Sequence, residues 1–70
     1  MTNKEREQII EIALRDYNMA VSGFQIQKPR IINAINMMEN AYIMCSMWNV
    51  KNIEELRQAI IEAKSKYRFV

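Results

Sequence analysis

The chain has 70 residues, 10 Lys+Arg against 8 Asp+Glu, no His, one Cys, one Gly and one Pro, and half of it is apolar. That length allows one small domain, spanning 1–70, which buries only about 60% of its unfolded surface; a core of that size supplies roughly 3–5 kcal/mol. One Cys closes no intrachain disulfide, and without His the ligands for a structural zinc are too few. Assembly with further copies of the chain is the expected reinforcement.

Other classes fall away on similar grounds. A net charge of +2 is too small to argue for nucleic acid by itself. Thr2 to Gln8 is polar and charged with no apolar stretch behind it, which is not a secretory leader, and with a lone thiol this points to the cytoplasm. The window Ile31–Val50 holds one formal charge, Glu39, but its Asn33, Asn36, Asn40, Ser46 and Asn49 are costly in hydrocarbon, so it reads as a buried helix.

The first helix is expected over 3–22. Thr2 and Glu5 have capping-box spacing. Ile9, Ile10, Ala13, Tyr17, Ala20, Val21 and Phe24 follow on one face. Gly23 suits a left-handed position that ends the helix, with Phe24 folded back on Met19. Ile12 and Met19 lie off the main face and hint at a second contact surface.

The second helix is expected over 29–48, opened by Pro29, whose missing N–H costs nothing in a first turn. Ile31, Ile35, Met38, Tyr42 and Cys45 form one seam; Ala34, Ala41 and Trp48 form an adjacent row, and Met37 and Met44 widen the arc. One neighbouring helix cannot cover so wide an arc. The third helix is expected over 53–68, with an Asn52–Glu55 capping pair and apolar Ile53, Leu56, Ile60, Ala63, Tyr67 and Val70 in steps of three and four. The fold class is therefore all-α: a three-helix domain built on an antiparallel hairpin, with the third helix returning across it or swapping onto a second protomer.

Catalytic constellations are nearly absent. There is no imidazole base, no glycine-rich phosphate loop, and Cys45 lies in an apolar seam where Cys serves as a small hydrophobe. No cofactor or metal is expected. Met37, Met38, Met44 and Met47 fit either an adaptable partner groove or ordinary core filling. The start of the second helix is less ordinary. Lys28 offers no acceptor as a cap, so the N–H groups of Arg30, Ile31 and Ile32 lack a side-chain partner, and Lys28 and Arg30 add positive charge to the positive end of the helix. A phosphate would satisfy both. Asn33, Asn36 and Asn40 then run down the polar side, with donors and acceptors suited to base edges.

The segment Pro29-Arg30-Ile31-Ile32-Asn33-Ala34-Ile35-Asn36-Met37-Met38-Glu39-Asn40-Ala41-Tyr42-Ile43-Met44 resembles a helix of phage sponge proteins, the anti-CBASS and anti-Thoeris proteins that share a helical hairpin domain. Their loop with Pro and Arg leads into Ala-apolar-Thr-x-apolar-Glu-x-Ala-aromatic, which reads here as Ala34 to Tyr42, with Asn36 in place of Thr. The likeness covers about residues 10–48, with Arg15-Asp16-Tyr17 on the other arm. It implies an oligomer that sequesters cyclic nucleotide or cyclic ADP-ribose-type signals at subunit junctions without hydrolysis, Arg30 on phosphate, Asn36 in the polar role and Tyr17 as an aromatic contact. The competing expectations are a small helical protein that binds and inhibits a host protein through its Met-rich surface, and a DNA-binding three-helix module that uses Lys64, Lys66 and Arg68.

Overall fold

A computed structural model describes residues 1–23 and 25–67. Helices α1 (Asn3–Val21), α2 (Lys28–Cys45) and α3 (Ile53–Lys66) follow in chain order, and among the described residues there is no strand.

The start of α1 is the capping box its sequence announces. The Glu5 N–H donates to Thr2 Oγ1 at 3.2 Å, and the Thr2 N–H donates to Glu5 Oε1 at 2.9 Å. Its end differs from expectation. Gly23 is not left-handed; the cap is Ser22 in the right-handed region, with its hydroxyl donating to the Met19 carbonyl at 3.4 Å. A polar side chain thus takes up a last-turn carbonyl, and no reversal of φ is needed there. The expected contact of Phe24 lies outside the described residues.

α2 stops at Cys45 instead of residue 48. The Ser46 N–H still bonds the Tyr42 carbonyl (2.7 Å), but the Trp48 and Val50 N–H groups turn onto Cys45 and Trp48 (3.1 and 2.9 Å). The early stop follows from long-range contacts: it lets Val50 bury and sets the Trp48 ring over Arg6 of α1, 3.7 Å from guanidinium carbon to ring centre. α3 ends at Lys66, with Tyr67 as its cap and Arg68 outside the described residues. The Asn52–Glu55 pair does not cap it either. Asn52 instead donates its amide to the Glu7 carbonyl of α1 at 3.2 Å, tying the α2–α3 turn to the first helix.

The core lies between the three helices. Ile10 and Ala13 of α1, Ile31, Ala34, Met38 and Cys45 of α2, and Leu56 and Ala63 of α3 are fully buried. Each large apolar side chain buried in this way contributes about 1.5–3 kcal/mol. α3 returns across the hairpin of its own chain, and Lys64 reaches Glu39 of α2 at 3.3 Å.

Candidate functional site

The inner face of α2 is consumed by the core, so any site on this helix must use its flanks and outer side. On the flank toward α1 lies an open groove of about 360 Å³, lined by Ile9 and Ala13 of α1 and by Asn33, Asn36, Met37, Asn40, Ala41 and Met44 of α2. Spacing explains the convergence: residues three and four apart stack along one side of a helix. The three asparagines singled out from the sequence therefore share one wall. No lining residue carries a formal charge, so the groove offers amide donors and acceptors beside methionine thioethers.

The basic end of α2 differs from expectation. Its N-cap is Gln27, not Lys28, and no side chain caps it; yet the Ile31 N–H already donates to the Gln27 carbonyl at 3.0 Å, and Pro29 has none to offer. Fewer amides are left for an anion than the sequence indicated. Arg30 is engaged as well. Its guanidinium grips Asp16 of α1 in bidentate fashion, Nη2 to Oδ1 at 2.7 Å and Nη1 to Oδ2 at 3.0 Å, with a longer contact to the Asp16 carbonyl. That fork geometry is the one arginine uses for phosphate, here filled by the chain's own carboxylate. The hydrogen bonds from Arg30 hold the Asp16 carboxyl below its ordinary range. Lys28 is exposed at the first turn.

Tyr17 does not join the asparagines. It is half-buried against the core, and burial, then the charges of Tyr67 and Glu62, push its phenol up. Of the six residues marked from the sequence, three meet in the groove. Arg30 closes an ion pair, Lys28 stands at the helix tip, and Tyr17 packs against the core.

One feature escaped sequence reasoning. Arg6 is buried, held by Asn3 Oδ1 at 2.8 Å and covered by Trp48; its place four residues before Ile10 on the apolar face was the available signal. Of the four methionines weighed as a partner surface, Met38 is buried in the core, while Met37, Met44 and Met47 are exposed, as are Ile43 at 70% and Trp48 at 51% near the end of α2. A larger groove on another side of α1 mixes Glu7, Glu11 and Glu55 with Arg15 and Lys51 and holds none of the expected residues. The Cys45 thiol is buried, which pushes its pKa up and makes it a poor nucleophile. No acidic, Cys or His grouping that could hold a metal, and no helix long and apolar enough to cross a membrane, occurs among the described residues.

No protein-family model, curated protein or solved structure matches this chain.

Proposed function

We propose that the protein is a non-catalytic phage anti-defence protein that sequesters a cyclic nucleotide or cyclic ADP-ribose-type immune signal in the α1–α2 groove. The observation that carries this reading is the convergence of Asn33, Asn36 and Asn40 with Met37 and Met44 on one uncharged groove. Carboxamides match the mixed donors and acceptors of a base edge, and thioethers pack well against flat rings. The resemblance to hairpin-domain sponge proteins supports the same ligand class. The ion pair of Arg30 with Asp16 changes the expected mode of grip: recognition is led by the base, and a phosphate reaches Arg30 only by displacing Asp16.

Thermal shift against cyclic di- and trinucleotides and cyclic ADP-ribose isomers tests the reading. A ligand at 100 times its dissociation constant adds about 2.7 kcal/mol, several degrees for a domain this small. Asn36→Ala is expected to abolish the shift, and Arg30→Ala to reduce it less. No shift across the panel overturns the proposal.

The exposed cluster Ile43, Met44, Met47 and Trp48 favours a second reading, inhibition of a host protein by apolar contact. It predicts no small-molecule shift, together with a defined co-purifying partner that Met44→Glu releases.

A further inference from the structure

The α1–α2 groove is closed at one end by charge. Asp16 lies three residues beyond Ala13 on α1, and Arg30 lies three residues before Asn33 on α2, so each extends its own wall of the groove by one helical turn. There the walls are joined by the bidentate pair of Arg30 with Asp16, at 2.7 and 3.0 Å. The pair is not part of the core: its side chains keep 40% and 30% exposure, so solutes reach both. Its setting is lopsided. The first turn of α2 holds no acidic residue and no side-chain cap, and Arg30 adds a cation to the positive end of the helix. Among the described residues, the only carboxylate bonded to Arg30 comes from the opposite helix.

We infer that Asp16 stands in for the phosphate of the ligand: it keeps the Arg30 fork occupied until binding and yields it to a phosphate that arrives attached to a base seated among the asparagines. The inference rests on the reading of the groove as a nucleotide site and names the residue that sets its selectivity. A carboxylate and a phosphate present the same paired oxygens to a guanidinium, so the exchange needs only that the Asp16 side chain turn aside. Spacing fits as well. Arg30 is six residues from Asn36, about 9 Å along a helix axis, and a base is separated from the phosphate on its own sugar by a comparable span. Competition with Asp16 weakens every anion at Arg30. A free phosphate has no other hold and is turned away. A phosphate joined to a base keeps the contacts of the groove and, held at the fork by them, has a high effective concentration against Asp16. Asp16 therefore acts against the wrong ligand and makes no contact to the right one.

Inorganic phosphate is the first probe. With the Arg30 side-chain Nε–H resonance followed by nitrogen–proton correlation NMR, the wild type is expected to respond weakly, and Asp16→Asn saturably and at several-fold lower phosphate concentration. Asp16→Ala repeats the measurement without an amide that still bonds Arg30, and an unchanged helical circular-dichroism spectrum checks the fold of each variant. In the double variant Asp16→Asn with Arg30→Gln, the Ile31 backbone amide should no longer follow phosphate. An equal response in the wild type and both Asp16 variants overturns the inference, as does a response that survives the loss of Arg30. The cyclic-nucleotide panel separates the gate from the groove. A ligand that binds the wild type should bind Asp16→Asn more tightly; equal affinity sinks the gate and leaves the groove reading. No nucleotide binding, with the phosphate contrast intact, sinks the groove reading and leaves Asp16 as a guard against free anions.

Discussion

The two sides of α2 share a backbone and both carry large apolar side chains, but they have different fates. Ile31, Ala34, Met38 and Cys45 on one side are sealed by α1 and α3, while Met37, Ile43 and Met44 on the other face solvent. The inner side accounts for why the hairpin closes. The outer side has no such account within one chain, and exposed apolar side chains gathered on one surface are a recognised mark of a contact site. The difference teaches where to look for function: hydrophobicity that folding does not consume marks the working surface.

The sharpest test of that contrast is truncation on each side. Met38→Ala is expected to cost about 2–5 kcal/mol in denaturant unfolding, which would unfold much of so small a domain, whereas Ile43→Ala under dilute conditions should change stability by no more than about 0.5 kcal/mol. Equal losses would mean that the outer side is part of the fold after all. A second test falls at the seam between the two sides. Trp48→Ala removes the ring stacked on Arg6 and is expected to cost about 1–2 kcal/mol, read by the same unfolding curves; no loss would show that the contact is incidental. Thiol labelling gives a third. Cys45 on the inner side should resist alkylation in the native protein and react on unfolding, while a cysteine placed at Met47 should react at once.

The smallest effect concerns Asp16. Arg30 depresses its folded-state pKa below the unfolded value, so the stabilisation is fully present above the ordinary carboxylate pKa and is lost as pH falls through the lower folded value. Asp16→Asn should therefore lower the melting temperature slightly near neutrality and match the wild type in strong acid. Glu5, also depressed, by the Thr2 N–H, is common to both proteins and cancels in the comparison. A difference that persists in strong acid would assign the loss to packing.

Legibility in the sequence followed the range of each interaction. Three helices and their inner faces were readable because periodicity is local, and the Thr2–Glu5 box closes within one turn. Asn52 stands at the N-cap position as its sequence suggests, but its side chain makes no capping bond; its amide goes to Glu7, 45 residues away in sequence. The end of α2 was set too late because Trp48 answers to Arg6, not to its neighbours. Arg30 looked unpartnered for the same reason: a local rule sees no carboxylate beside it, and Asp16 comes from the other helix. The asparagine wall was legible, because three residues at three- and four-residue spacing share a helix side in any fold.

The stack of Trp48 on Arg6 has a practical corollary. Trp48 is the only indole in the chain, and it rests against a cation on a different helix. Its fluorescence should therefore change when the second turn leaves the first helix, giving an intrinsic, label-free optical signal for following refolding in a stopped-flow instrument.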